Sequence, residues 1–407
     1  MNSTYSKGKT IDLLCRLPDN VLIRVFEIAG SISKTDLYHI ALLNKKYHSI
    51  VDTILYEKVH FNGPGLPHIF NESLNRRPRR GSAIQDITLE YPSSELSELL
   101  KVGTNVEHHY DVTPRENSLS RALSVMSNLK NLTISVPVTL AHGIGTLFNG
   151  PFDLACLKTC TLFYQTAGDE YWDLQDNIHI FAHPSLESLC IKRAKLDYRG
   201  FGLIERPHET ALKKLHLIEC DINDDALSDL LEFPEALKEF VMTQTPDPVP
   251  ALEESGDDIG GYIMALREQA PSLETITIDF TTLAGRKTLR MRDFAGLKTL
   301  RINWDYQLFG ASSKKPRMHS VGLPPELETL EFFNDLGTDE VVTDLLVSTI
   351  QTKSILARKW NELTVVADDD ERIPQEIADA CKEQGLKLVI IGGAETNIEA
   401  SVHDLDA

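Results

Sequence analysis

Residues 212–220 read LKKLHLIEC, and the pattern of this phrase decides how most of the chain folds. Leucines stand at its first, fourth and sixth positions. The fourth and sixth positions alternate with other residues, as on a β-strand that buries one face. The phrase therefore predicts a short strand whose other face carries Lys214 and His216.

The same phrase returns along the chain. Further copies begin at Ile84, Leu129, Leu157, Leu186, Leu237, Leu273, Leu297, Leu327 and Trp360. They match the leucine-rich repeat pattern L-x-x-L-x-L-x-x-N/C, and most begin about 24 to 36 residues apart. One copy is a weak signal because it describes any half-buried strand, whereas a long series strongly indicates a repeat architecture. Helical patterns lie between copies, at residues 226–231, 259–268, 338–351 and 375–384.

A single strand and helix cannot close a core, so neighbouring repeats must stack. We therefore predict an α/β fold in which residues 83–393 form an irregular leucine-rich-repeat solenoid, a curved parallel sheet with helices outside. The sequence GLKLVIIGG at 385–393 predicts a closing buried strand, and residues 394–407 a flexible acidic tail. Residues 62–82 are expected to be a linker, in which RRPRR (76–80) is either a solvated basic stretch or a nuclear-localisation patch.

Residues 10–61 form a separate module in which apolar residues recur at helical spacing in three stretches. The first stretch opens at Pro18 and closes at Gly30 and Ser31. Thr35 is the expected N-cap of the second, and a third follows. So small a unit buries only a thin core. From periodicity alone, its leftover apolar surface is either covered by a partner or packed as a cap onto the repeats.

This module resembles an F-box, particularly the form common in fungal proteins. LPDNVLIRVFEIAG, which starts at Leu17, matches the family's opening Leu-Pro, acidic residue and apolar ridge, and Asp36-Leu37 matches the start of its second helix. The family's Cys-Lys-x-Trp segment is matched loosely by residues 44–47, with tyrosine in the tryptophan position. The resemblance implies docking onto a Skp1-type adaptor and, through it, onto a cullin. The residues implied to bind the adaptor are Leu17, Pro18, Val21, Leu22, Val25, Phe26, Leu37, Ile40, Leu43 and Tyr47.

The formal charge is −19, from 60 acidic and 41 basic residues. This balance repels phosphate backbones, so we expect no nucleic-acid binding. No apolar run reaches the length of a membrane span, and the first residues lack the apolar core of a signal peptide. Six scattered cysteines lack the spacing of a metal site or a disulfide framework. We therefore expect a cytoplasmic or nuclear protein with reduced thiols and no membrane partner.

Residues between the apolar positions of each phrase are expected on the concave face, where solenoids bind partners. An exposed Phe333 near Arg301 and Trp304 would suit a protein-binding hot spot. For any single position, a solvated strand residue is the simpler interpretation. The loops at 245–261 and 310–320 are either surface excursions or adaptable contacts. The candidates for substrate binding are Lys214, His216, Thr277, Asp279, Arg301, Asn303, Glu331 and Phe333.

Motifs that carry chemistry are scarce. The pair His108-His109 lacks further spaced ligands, and the glycines of 143–150 lack the spacing of a phosphate-binding loop. Cys160 and Cys220 occupy positions that the repeat buries, which favours a packing role. We therefore expect no catalytic residue, metal or cofactor.

These features predict a non-catalytic substrate-recognition subunit of an SCF-type (Skp1–cullin–F-box) ubiquitin ligase. The helical module would dock onto the adaptor, and the repeats would bind the protein to be ubiquitinated. The alternative is a leucine-rich-repeat interaction scaffold without a role in ubiquitin transfer. An enzyme with an unfamiliar fold is a more remote alternative.

Overall fold

The computed structural model describes residues 13–62, 70, 73–74, 76–91, 123, 126–138, 154–166, 170–196, 209–244, 259–280, 291–303, 323–336, 340–367 and 373–392. The fold is α/β, with an N-terminal helical region and a large parallel sheet. The chain divides into two compact units. The first comprises residues 1–133 with 154–157, and the second comprises 134–153 with 158–407.

The first unit begins with a short 3-10 helix and three α-helices. These are Leu14–Arg16, α1 (Asp19–Ile32), α2 (Lys34–Ala41) and α3 (Lys45–Glu57). The expected end of α1 at Gly30 and Ser31 is wrong, because the helix continues to Ile32. A Cβ atom at Gly30 would lie 2.5 Å from Cδ1 of Leu37, so the glycine permits the close approach of α1 and α2.

The helix caps explain how the short helices of this module begin. The N-cap of α2 is Ser33, not Thr35 as expected, and its hydroxyl accepts a hydrogen bond from the backbone N–H of Asp36 at 3.3 Å. Asn44 caps α3 by accepting a hydrogen bond from the Tyr47 N–H at 2.8 Å. These side chains satisfy backbone donors that would otherwise have no partner at the helix ends.

One small hydrophobic core holds the three helices together. The rings of Phe26 and Tyr47 meet edge to face, with centroids 5.2 Å apart. Its buried members come from all three helices and are Leu22, Phe26, Leu37, Tyr47, Ile50 and Val51. The third helix was expected to carry the last three of these, and that expectation is confirmed.

After α3 the first unit contains two parallel strands, β1 (Lys58–Phe61) and β2 (Asp86–Glu90), which pair from Lys58 opposite Asp86 onward. Strand β1 was not expected from the sequence, although its burial alternates. A third strand, β3 (Asn131–Pro137), runs across the division between the two units.

Part of the expected linker is ordered against α3. Residues Pro78–Ala83 form a 3-10 helix. The Arg80 guanidinium donates hydrogen bonds to both carboxylate oxygens of Asp52 at 2.8 to 3.1 Å. Its guanidinium carbon lies 4.4 Å from the ring centroid of Tyr56. The hydrogen bond to Asp52 raises the pKa of Arg80. Arg80 therefore fastens this segment to α3, whereas Arg76, Arg77 and Arg79 are exposed, as expected of a solvated basic stretch.

The second unit contains a parallel sheet with the strand order β4-β6-β8-β10-β11-β12-β13-β14-β15. All neighbouring strands of this series pair in parallel. The nine strands are β4 (Thr159–Gln165), β6 (Ser188–Lys192), β8 (Lys214–Ile218), β10 (Glu239–Thr243), β11 (Thr275–Asp279), β12 (Thr299–Ile302), β13 (Thr329–Asp335), β14 (Glu362–Ala367) and β15 (Lys387–Gly392).

The burial of these strands confirms the alternation expected from the sequence. In every copy of the phrase, the three apolar residues are at most 2% exposed. The last strand differs from its prediction, because β15 is half-buried and Ile390 is 56% exposed. It stands at the end of the strand order with β14 as its neighbour, so it packs less completely than the strands inside the sheet.

Helices of the second unit lie between the strands, as the sequence predicts. They are α4 (Asp224–Leu231), α5 (Ile259–Leu266), α6 (Glu340–Gln351), α7 (Lys353–Leu356) and α8 (Gln375–Glu383). The sequence analysis missed a 3-10 helix at Leu174–Ala182 and a small parallel sheet of β5 (Trp172–Asp173), β7 (Ala194–Leu196) and β9 (Asp221–Ile222). Strands of two or three residues are too short to give a readable alternation.

The burial pattern generates a stability test within the second unit. Leu300→Ala removes a fully buried side chain from β12, and we expect the free energy of unfolding to fall by about 2–5 kcal/mol. Val341→Ala on α6 removes a side chain that is 50% exposed and should cost no more than about 0.5 kcal/mol. Urea denaturation measures both, and equal losses would contradict the assignment of the buried face.

Candidate functional site

Two surfaces of the described residues are candidate sites, one in each unit. The first is an apolar surface on the helical module. Four side chains of α1 lie at intervals of four, three and four residues, which places them in one stripe along the helix. Ile32 at the end of this stripe is 81% exposed, and Leu42 between α2 and α3 is 82% exposed. We use the name apolar surface for the exposed apolar side chains of the α1 stripe and of the segment from Tyr38 to Leu43, namely Val21, Val25, Ile28, Ile32, Tyr38, Leu42 and Leu43.

The ten residues expected to bind the adaptor separate into three groups. Pro18, Val21, Val25 and Leu43 are exposed, and Leu17 and Ile40 are half-buried. The other four, Leu22, Phe26, Leu37 and Tyr47, are at most 3% exposed and form the module's own core. Their assignment as contact residues is corrected, because a partner could reach them only if the helices separated.

Four members of the apolar surface were not expected from the sequence, namely Ile28, Ile32, Tyr38 and Leu42. The spacing of the apolar residues from Val21 to Ile32 could have revealed the stripe. The core row of Leu22 and Phe26 lies beside it, one position later in the sequence. The two rows were merged into one ridge because sequence periodicity does not state which of two adjacent apolar rows the fold covers.

The second candidate site lies on the face of the sheet between the buried rows. Backbone pairing places His216 opposite Val241, Thr277 opposite Arg301, and Arg301 opposite Glu331. Val241 and Thr277 also pair, so these positions form one continuous row across the strands β8 to β13. Four of the expected substrate-binding residues are therefore neighbours in one row, which we call the middle row. Lys214 lies in the adjacent row, opposite Glu239.

Charges at one end of the middle row neutralise one another. Glu239 accepts a hydrogen bond at 2.9 Å from Nε2 of His216, and Lys214 Nζ lies 3.0 Å from its other oxygen. The contact with His216, followed by that with Lys214, lowers the pKa of Glu239 to about 2, against the opposing effect of burial. This cluster is a structural ion network rather than a set of free charges.

The other end of the middle row carries a second ion pair. Nε of Arg301 lies 2.9 Å from Oε2 of Glu331. Burial raises the pKa of Glu331, and the positive charge of Arg301 partly offsets that effect. Burial likewise raises the pKa of Asp279, which accepts a hydrogen bond from the Asn303 side chain at 2.9 Å. Their partners therefore offset only part of the free-energy cost of removing the Glu331 and Asp279 carboxylates from water.

All of the expected substrate-binding residues except Lys214 are half-buried or buried, and so are less exposed than the sequence suggests. Thr277 is 4% exposed, so its assignment as an exposed contact is corrected. Phe333 is half-buried. Trp304, the loop at 310–320 and most of the loop at 245–261 lie outside the described residues. The described part of the loop at 245–261 starts at Ile259 and belongs to α5.

Other residues singled out in the sequence give no chemical cluster. Among the described residues, no group of three or more His, Cys, Asp or Glu side chains is arranged to hold a metal ion. His108, His109 and the glycines of 143–150 lie outside the described residues. Burial raises the pKa of both Cys160 and Cys220, so these thiols stay protonated and unreactive at neutral pH, in agreement with the packing role expected for them.

All six cysteines are free thiols in the structure. Across the described helices, none has both the length and the apolar character needed to cross a membrane. Comparison with models of known protein families and with curated proteins yields no match.

The ion network around Glu239 predicts how stability changes with pH. The folded-state pKa of Glu239 lies below its ordinary value of 4.5, so its contribution is present above pH 4.5 and is lost as the pH falls towards 2. We expect Glu239→Gln to lower the free energy of unfolding by about 2–3 kcal/mol at pH 6, with a smaller difference at pH 3. Urea denaturation at each pH measures this difference.

The exposed Glu340 on α6 provides the control for this measurement. Glu340→Gln should change stability little at either pH. A Glu239→Gln effect that stays constant from pH 6 to pH 3 would contradict the ion network.

Proposed function

We propose that the chain is the substrate-recognition subunit of an SCF-type ubiquitin ligase. In this proposal the apolar surface of the helical module docks onto a Skp1-type adaptor, and the adaptor connects it to a cullin. The second unit, as a leucine-rich-repeat solenoid, binds the protein to be ubiquitinated. The observation that carries the proposal is the apolar surface, which lies on the module whose sequence resembles an F-box.

The apolar surface supports docking because the module does not need these side chains for its own core. That core is already formed by six other residues from the three helices. Soluble monomers rarely expose large contiguous apolar patches, and such patches are typical of protein-binding surfaces. Burial of apolar area stabilises a complex by roughly 25 cal/mol per Å² before the costs of association. A protein partner that covers this surface would therefore gain affinity from it.

The second unit supports the substrate-binding part of the proposal. Its phrases follow the leucine-rich repeat pattern, and its strands pair in parallel with the apolar residues in register. Solenoids of this kind bind partners on the face that carries the middle row. The function would be positional, because tethering a substrate raises its local concentration near the ubiquitin-conjugating enzyme.

A capture experiment tests the docking surface. Ile32→Asp combined with Leu42→Asp places two charges at the most exposed positions of the apolar surface, where neither side chain supports the core. We expect the affinity for a purified Skp1-type adaptor to fall more than about tenfold, since interface anchors dominate binding energy. The measurement is isothermal titration with the full chain.

The matched control is Val341→Asp combined with Ile355→Asp, which changes two exposed apolar residues of the second unit. This control should bind the adaptor as the parent chain does, and both double variants should unfold at the parent temperature. Failure of the parent chain to bind any such adaptor would overturn the proposal. Binding without adaptor-dependent ubiquitin transfer in a reconstituted ligase would favour the scaffold alternative instead.

A further inference from the structure

A cleft of about 510 Å³ lies beside the first strand of the first unit. It is separate from the residues of the apolar surface and from the middle row. Both apolar and charged side chains line it, and most of them come from α3, β1 and β2. The lining residues are Lys34, Leu55, Tyr56, Lys58, Val59, His60, Phe70, Asp86 and Thr88.

Within the described part of the chain, the strand that borders this cleft is paired along one edge only. In the strand order β1 comes first, and among the described residues only β2 pairs with it. The backbone carbonyl of Glu57 accepts a hydrogen bond from the N–H of Gln85 at 2.9 Å, on the side of β2. Successive residues of a strand direct their backbone groups to alternate sides, so those of Lys58 and His60 point to the edge away from β2. An extended peptide can add to such an edge through main-chain hydrogen bonds.

The charges around the cleft favour an acidic occupant. Lys34, Lys58 and His60 are all exposed. Asp86 is the one carboxylate among the lining residues, and its Oδ2 lies 3.4 Å from Nζ of Lys58. The lining therefore carries two lysines against one carboxylate, in a chain whose formal charge is −19. Positive side chains in such a setting attract negative groups of a ligand and orient it.

We infer that this cleft binds an extended acidic segment of a partner protein, which adds to β1 as a further strand. The backbone groups of Lys58 and His60 would form its hydrogen bonds. Carboxylates of the segment would lie near Lys34 and Lys58, and its apolar side chains near Leu55 and Val59. A peptide fits better than a nucleic acid because only a peptide backbone can continue the sheet. The inference goes beyond the proposed function and does not depend on it.

Two capped octapeptides test the inference with the full chain. One alternates Thr with Glu and the other alternates Thr with Gln, so they share strand propensity and differ in charge. Isothermal titration at low salt should give at least tenfold tighter binding for the Glu peptide, and added salt should weaken that binding. Absence of binding by either peptide, or equal binding by both, would overturn the inference.

Charge variants of the chain test which residues attract the peptide. Lys34→Ala and Lys58→Ala should each weaken binding of the Glu peptide roughly two- to fivefold, and Asp86→Asn should strengthen it. Lys45→Ala changes an exposed lysine of the same unit that lies outside the cleft, so it should leave the affinity unchanged. An equal loss in Lys45→Ala and Lys58→Ala would show that the attraction is not local and would overturn the assignment.

A matched pair of substitutions at His60 tests strand addition. His60→Ala removes the side chain, and His60→Pro also removes the outward N–H without touching the hydrogen bonds to β2. We expect the proline variant to bind the Glu peptide at least tenfold more weakly than the alanine variant, with unchanged helix content by circular dichroism. Equal affinities would reject addition to β1. If the proline variant does not fold, the same decision follows from a Glu peptide N-methylated at every residue, which has no N–H group to donate on either edge and should not bind.

Discussion

The residue before each of seven strands in the second unit, β4, β6, β8, β10, β11, β12 and β13, accepts two backbone hydrogen bonds from the next repeat, and this contact sets the register of the sheet. The carbonyl of Lys213 accepts from the N–H groups of Lys238 and Glu239 at 2.8 and 3.0 Å. The carbonyl of Lys238 accepts in the same way from Glu274 and Thr275. A shift of one residue would turn each apolar pair out of the core, so both burial and the middle row depend on this contact.

The same register decides which surface can carry function. Because the apolar positions are buried, the remaining strand positions lie on the opposite face. There, oppositely charged side chains on neighbouring strands form ion pairs. Arg301 and Glu331 are an example, since they meet because their strands are in register. In the first unit, helix packing determines which apolar residues are buried and which stay exposed. There the core takes one row of α1, and the neighbouring row from Val21 to Ile32 is left exposed.

The sequence predicted the strands better than it predicted the sites. A phrase such as the one at 212–220 combines period-two alternation with a repeat, and each copy supports the others. No such redundancy exists for single positions. Phe26 and Val25 are adjacent and similarly apolar, yet one is 3% and the other 41% exposed. Thr277 is buried by cross-strand neighbours that lie tens of residues away in sequence. The short strands and the cap at Ser33 depend on local backbone geometry, which hydrophobic periodicity does not contain.

Hydrogen exchange of the full chain, measured alone and with a Skp1-type adaptor, tests the central claim most directly. The claim is that the apolar surface of the helical module is half of an interface. It predicts that the adaptor slows amide exchange in α1 and between α2 and α3, around Tyr38 to Leu43, while exchange in β8 to β13 stays unchanged. Unchanged exchange in these helical segments, or protection confined to the second unit, would contradict the claim.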